Sequence, residues 1–296
     1  MSAGCRNGRV GVLGATSLVG LCLLPRLAQA GWQVSAFSRT ASEPPDGAVA
    51  WHPLSAAADA PYPDAALQLE NWICLAPIWV LPDHFDLLQR HGAQRVVALS
   101  STSRFTKDDS SDPHEQALAR RLAQAEARVQ AWAQSHGVQW VILRPTLVYG
   151  MGRDKNITEI ARFGRRFGFF PLLGPGYGLR QPVHAVDVAG ACAAALTATA
   201  ATNRAYNLCG GETLAYRDMV TRVCSALGRR VRLLPVPLWT FRLALALLRP
   251  LPRYRQWSIG MAERMSQDLV FDHAEATRDL AFKPQVFALA AADLPA

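Results

Sequence analysis

The chain has 296 residues, half of them hydrophobic and 18% charged, with 21 Gly and 19 Pro scattered along it. This is the composition of one enzyme-sized unit, or one domain with a lobe, and it excludes the disordered, low-complexity and solenoid classes. The formal charge is +8 at pH 7, but no aromatic-interleaved basic run or nucleic-acid module accompanies it, so nucleic acid is not an expected partner.

Six dispersed cysteines, Cys5, Cys22, Cys74, Cys192, Cys209 and Cys224, include no CxxC pair and no neighbouring histidine at ligand spacing. Neither a disulfide framework nor a metal site is expected. Lysine is scarce: Lys107, Lys155 and Lys283 are the three among 31 basic residues.

The first thirty residues imitate a secretory signal, with Arg6 and Arg9 ahead of an apolar run and Ala28-Gln29-Ala30 in place of a cleavage site. A strand, turn and helix account for them better. Arg9 to Leu13 has strand character, Gly14-Ala15-Thr16-Ser17-Leu18-Val19-Gly20 is a turn of small residues, and Leu21 to Ala30 continues as a helix ended by Gly31. A second strand, Gln33 to Phe37, completes a βαβ opening with the glycine spacing of a dinucleotide fold. A cytoplasmic location is the expectation.

Gly14 and Gly20 let backbone N–H groups at a helix N-terminus approach a pyrophosphate. Ser17 replaces the middle glycine of the usual pattern. After the second strand, Ser38-Arg39-Thr40 stands where a fold preferring NAD carries an acidic residue for the ribose hydroxyls. A guanidinium at Arg39 instead suits a 2′-phosphate, so NADP is expected over NAD, with a solvated loop arginine as the plainer alternative.

Trp72 to Ile78 and Arg95 to Ser101 are continuous apolar runs, as in parallel strands buried on both faces. A helix starts at Asp112, with Pro113 in its first turn and Glu115 three residues after the cap, and ends at Gly137. Leu118, Leu122, Ala125, Val129 and Trp132 form its apolar face. Val138 to Leu143 is a further strand. Asn156 to Gly164 reads as a helix and Phe167 to Leu173 as an apolar turn region, with Arg162, Arg165 and Arg166 on a solvated face. From Val231 to Arg255 the chain is apolar with interspersed arginines, broken by Pro235, Pro237 and Pro250 and too short to span a bilayer. Two readings stay open for residues 238–255: a helix lining a substrate lobe, or peripheral contact with an anionic membrane.

Five stretches occur in the order and spacing of the extended short-chain dehydrogenase/reductases, which include NAD-dependent nucleotide-sugar epimerases and dehydratases. They are the run from Gly14 to Gly20, Ser100-Ser101-Thr102, Leu143-Arg144-Pro145-Thr146-Leu147-Val148-Tyr149-Gly150, the segment from Arg180 to Ala189, and Tyr206-Asn207-Leu208. The chain resembles that family from about Val10 to at least Met219. The resemblance implies an α/β fold, a Rossmann-type doubly wound parallel sheet with a smaller C-terminal substrate lobe. Residues 1–150 and about 182–208 would form the NAD(P)-binding domain, with segments near Val183 to Ala195 and Ala205 to Leu208 completing the sheet. About 151–181 and 209–296 would form the lobe.

The resemblance also implies site residues. Gly14, Thr16, Ser17, Leu18, Val19, Gly20, Ala76, Ser100, Pro145 and Thr146, with Arg39, would hold the cofactor. Thr102 would orient a substrate oxygen, and Arg180 would meet the diphosphate of a nucleotide-linked small molecule. The family's chemistry rests on a Tyr and a Lys four residues later on one helix face, and this pair is absent. Aligning Ala125-Glu126 with a common Ala-Glu of the family puts Leu118 and Leu122 at those places, and the loop after Thr102 looks short. No tyrosine lies between Tyr62 and Tyr149, and no lysine between Lys107 and Lys155. His114 is the candidate substitute acid or base, followed by Arg121, Lys107 and Asp108. His184 and Asp187 read as structural, with the Asp187 carboxylate near a helix N-terminus as its cap or dipole partner. Two functions are therefore carried: an atypical epimerase, dehydratase or oxidoreductase, and a catalytically silent NADP-binding accessory or redox-sensing protein.

Overall fold

The computed structural model describes residues 8–39, 49–54, 68–228, 231–237 and 265–295. The stretch 238–255, for which a substrate-lobe helix or membrane contact is expected, lies outside the described residues. Among the described residues, no helix is long and apolar enough to cross a membrane.

The chain opens with β1 (Arg9–Leu13), α1 (Leu18–Gln29), β2 (Gln33–Ser38) and β3 (Val49–Pro53). Then come β4 (Asn71–Cys74), a 3₁₀ turn Ile78–His84, α2 (Phe85–Arg90), β5 (Arg95–Leu99), the short α3 (Ser103–Thr106) and the long α4 (Pro113–Ser135). β6 (Gln139–Pro145) is followed by β7 (Val148–Tyr149), α5 (Ile157–Phe167), β8 (Phe169–Leu173), β9 (Leu179–Arg180), β10 (Val183–His184) and α6 (Ala185–Ala195). β11 (Arg204–Leu208), β12 (Leu214–Ala215), α7 (Tyr216–Ala226), β13 (Arg232–Val236) and α8 (Ala274–Leu280) complete the order.

Seven strands form one sheet in the order β11-β6-β5-β4-β1-β2-β3, and every pair in it is parallel. The interior strands are apolar throughout because both faces are covered. Successive residues alternate between two cores. Val10, Val12, Ile73, Val97, Leu99, Val141 and Leu143 pack with α1, α6 and α8 on one face. Leu13, Trp72, Cys74, Val96, Ala98, Trp140 and Ile142 pack with the 3₁₀ turn, α2 and α4 on the other. Gly11 makes room for the Trp72 ring, which would lie 2.5 Å from a Cβ there. A third cluster joins α5 and α7 around Tyr149, Ile157, Met219 and Phe287.

Four boundaries differ from the sequence expectation. α1 begins at Leu18 rather than Leu21, because Ser17 caps it by accepting a hydrogen bond from Gly20 N at 3.2 Å. The strand expected through Ile78 stops at Cys74, where Pro77 leads into the 3₁₀ turn. Phe169–Leu173 is no turn: it pairs in parallel with β13, so that residues 60 or more positions downstream supply its partner. Val183–His184 does not join the central sheet either; it pairs with Val148–Tyr149 in a separate two-stranded ladder, and α6 reinforces α1 instead.

Two buried polar clamps fix the frame. Arg95, 7% exposed, donates from Nε to Ala195 O at 2.8 Å, from Nη2 to Ala198 O at 2.6 Å, and from Nη1 to Gln139 Oε1 at 2.6 Å. Its cation thus sits at the C-terminal end of α6, the negative end of the helix dipole. Asp293 holds the C-terminal segment against the loop after β7. It accepts from His184 Nε2 at 3.0 Å, Met151 N at 3.1 Å and Ala290 N at 3.0 Å. The other nitrogen of His184, Nδ1, caps α6 by accepting from Val186 N, and Asp187 accepts from Gln285 N. Both residues are therefore structural, but His184 rather than Asp187 caps α6. Burial works against the ionised Asp293, but the bond from His184 and those from the two backbone N–H groups outweigh it and hold its carboxyl below the ordinary range.

Two outcomes are expected. Arg95→Met leaves the buried carbonyls at the end of α6 without donors and lowers unfolding free energy by about 3 kcal/mol in urea titrations. An ionised Asp293 contributes stability that is present above the unfolded pKa and lost as pH falls through the lowered folded value. Asp293→Asn should therefore be less stable than wild type at pH 7, with the difference in urea midpoint shrinking below about pH 4.

Candidate functional site

The sheet order reverses between β1 and β4, and this switch point opens a crevice at the carboxyl ends of the strands. Five loops meet there: after β1, after β2, after β4, after β5 and at the end of β6. Gly14 takes φ +74°, and a Cβ on it would lie 2.5 Å from Ala76 N, so the loop after β1 touches the loop after β4 backbone to backbone. Leu75 N donates to Leu13 O at 2.8 Å in the same contact. At Gly20 a Cβ would come within 2.0 Å of Ala15 O. Only glycine at both places lets the turn close. Thr16 stays exposed, Ser17 and Leu18 half-buried and Val19 buried, and the N–H groups of the first turn of α1 have no acceptor within the helix. The turn fits a phosphate-bearing group. Arg39 is exposed one residue past β2.

On the other side of the switch point, Ser100 N donates to Leu143 O at 2.7 Å and Thr102 N to Pro145 O at 3.2 Å. The Thr102 side chain is buried and its hydroxyl donates to the same Pro145 carbonyl at 3.3 Å. Thr146 ties the end of β6 to β11 and to the segment before β10, through Leu208 O and Gln181 O. The wall supplied by α4 is apolar: Leu122 is buried, and Leu118, half-buried, packs with Ala76 and Trp79 on the same cluster.

One helical turn beyond Leu122, Glu126 is 1% exposed and collects four donors. Arg144 binds it through Nε at 3.0 Å and Nη2 at 2.7 Å, Ser100 Oγ donates at 2.5 Å, and Arg104 Nη1 makes a close ion pair with Oε2. Both guanidinium carbons lie over the Phe105 ring, at 5.1 Å for Arg104 and 5.3 Å for Arg144. Arg104 was not among the residues singled out from sequence. The signal available was its place two residues after Thr102 and three before the lone lysine of that loop.

The expected substitutes for the missing pair lie apart from this cluster. His114 is exposed at the start of α4, with its backbone N–H on Asp112. Arg121 stacks over Trp79 at 4.4 Å, Lys107 pairs with Glu115 at 3.5 Å, and Asp108 is exposed. Arg180 is buried, donating to Leu179 O at 2.8 Å and Gln267 O at 2.7 Å and lying over the Tyr216 ring. Burial pushes the phenols of Tyr149, Tyr206 and Tyr216 up to about 12, which disfavours each as a proton carrier near neutrality. Between α3 and residues 267–271 lies a cleft of about 440 Å³, lined by Phe105 and Thr106 on one side and by Gln267 to Phe271, the acidic Asp268 included, on the other. Among the described residues no cluster of His, Cys, Asp and Glu could hold a metal ion.

Residues 84–209 match the family described as "NAD dependent epimerase/dehydratase family". A UDP-glucose 4-epimerase of Vibrio cholerae is 25% identical over 138 residues, covering 47% of this chain and 42% of that protein. An Arabidopsis thaliana protein, the mitochondrial NADH dehydrogenase [ubiquinone] 1 alpha subcomplex subunit 9, is 25% identical over 177 residues, 55% of this chain and 43% of its own. The chain thus spans less than half the length of these two relatives. Among solved structures, a UDP-glucuronic acid 4-epimerase from Bacillus cereus in complex with NAD superposes with TM-score 0.70 at 14% identity, covering 94% of this chain and 92% of that one. The shared fold is the seven-stranded parallel sheet with its two helical layers, and the stretch that matches the family, residues 84–209, carries β5, β6 and all of α4.

Proposed function

We propose that the chain binds NADP at the switch-point crevice and acts as an atypical epimerase, dehydratase or oxidoreductase on a small, nucleotide-linked molecule. The observation that carries this reading is the convergence of the two-glycine turn at the start of α1 with the loops of β4, β5 and β6 at one sheet end. A solved relative of the same fold is described as a complex with NAD. A nicotinamide dinucleotide, when bound, supplies hydride exchange. In this chain the loop from Gly14 to Gly20 with Ala76 would hold the diphosphate, while Ser100, Pro145 and Thr146 would border the nicotinamide end. Thr102 would orient a substrate oxygen once its hydroxyl turns from the Pro145 carbonyl, and Arg180 would face the substrate's phosphates.

Arg39 supports NADP over NAD, because an exposed guanidinium past β2 can pair with a 2′-phosphate whereas it offers the ribose hydroxyls no acceptor. The apolar wall of Leu118 and Leu122 favours a second reading, a cofactor-holding protein without turnover. Similarity to a subunit of an NADH dehydrogenase fits that reading as well.

Fluorescence titration distinguishes the cofactors. NADPH should bind about tenfold or more tightly than NADH, and Arg39→Asp should erase the preference. Equal affinities in the wild type would remove the role given to Arg39. Incubation of the NADPH- and NADP⁺-loaded chain with UDP-sugars, followed at 340 nm and by separation of epimers, decides between the two readings: a cofactor that binds and is never consumed, with no new sugar formed, favours the silent protein.

A further inference from the structure

Two guanidinium groups share one carboxylate at the ends of β5 and β6, so the Arg104–Glu126–Arg144 cluster keeps one positive charge in excess. The neighbouring charges do not remove it. Lys107 and Glu115 pair with each other, and across the cleft Asp268, whose Oδ1 accepts from Leu179 N, is balanced by Arg180. The two arginines of the cluster are not equivalent. Arg144 spends Nε and Nη2 on Glu126 and its side chain is 14% exposed. Arg104 gives Glu126 only Nη1, its side chain is 27% exposed, and among the described residues it makes no other hydrogen bond. Its remaining donors are therefore available at the edge of the Phe105 ring, which lines the 440 Å³ cleft. A cation partly withdrawn from water beside a cleft of mixed polar and apolar lining gains from an anion that enters.

We propose that Arg104 anchors an oxyanion, a carboxylate or phosphate, of the molecule that occupies the cleft between α3 and residues 267–271. Glu126 and Arg144 act as positioning residues: the carboxylate fixes the Arg104 guanidinium over Phe105, and Arg144 keeps that carboxylate from neutralising it fully. Leu118 and Leu122 offer no charge on this wall, so Arg104 is the group that supplies it. This inference rests on the reading of the crevice as a dinucleotide and small-molecule site. The oxyanion could belong to the dinucleotide or to a second ligand, and the two are separable.

The test is calorimetric titration of the full chain, as wild type, Arg104→Met and Arg104→Lys, with NADPH, NADH and UDP, each at low and high salt. Arg104→Met should weaken at least one ligand about tenfold and flatten its salt dependence, while Arg104→Lys keeps most of the affinity. A loss confined to UDP assigns the oxyanion to the second ligand; a loss for both dinucleotides assigns it to the cofactor. If Arg104→Met fails to fold, Arg104→Gln, which can still hydrogen-bond Glu126, takes its place. The proposal is overturned if wild type and variant bind all three alike. Wild type that binds neither dinucleotide nor UDP overturns the functional reading and this inference together.

Discussion

Glu126 is the constraint on which the site depends. A carboxylate that is 1% exposed is costly to bury, and here the cost is offset by donors from three separate pieces of chain: Ser100 after β5, Arg104 in α3, and Arg144 in β6. Because those donors come from the strand ends and the carboxylate from α4, the interaction sets how α4 lies against the crevice. It also determines what the next turn of that helix presents. Leu122, four residues earlier on the same face, is held in the apolar layer with Trp79 and Ala76, so the crevice has a greasy side wall and a charged corner.

The opposite border is built from backbone rather than charge. Gly14 and Gly20 allow main chain to pack on main chain, and Ser17 closes the turn by capping α1. The C-terminal segment then reaches back through Asp293 to the loop after β7 and to the cap of α6. The two ends of the sequence thus brace the same frame: α1 packs on α6, and α6 is held at its start by His184 with Asp293 and at its end by Arg95.

Much of this was legible in the sequence where the physics is local. The βαβ opening follows from glycine placement and apolar runs, the interior strands from their lack of polar residues, and the start of α4 from Asp112 and Pro113. What escaped depends on contacts distant in sequence. Phe169–Leu173 looks like a turn region because of its Gly and Pro neighbours, and becomes a strand only because Arg232–Val236 lies beside it. Arg104 looks like any loop arginine until Glu126, 22 residues later, is seen to be its partner. The same limit applies to Thr102, whose hydroxyl meets a carbonyl 43 residues away.

The basic balance takes a different meaning in three dimensions. It first reads as a signature of phosphate ligands, yet several arginines are spent on main-chain carbonyls: Arg95 on the end of α6, Arg165 on Pro295, Arg180 on Leu179 and Gln267, and Arg222 on Phe287. A carbonyl has no charge to cancel, so Arg95 leaves a positive charge on the chain, whereas Arg222 also pairs with Glu212. A lysine, with a compact ammonium in place of a planar fork of five donors, could not join several acceptors in this way. Scarcity of lysine and excess of arginine therefore have a common structural origin. Part of the net charge is a by-product of cross-linking, and Arg104, with donors left over, differs in this from Arg95.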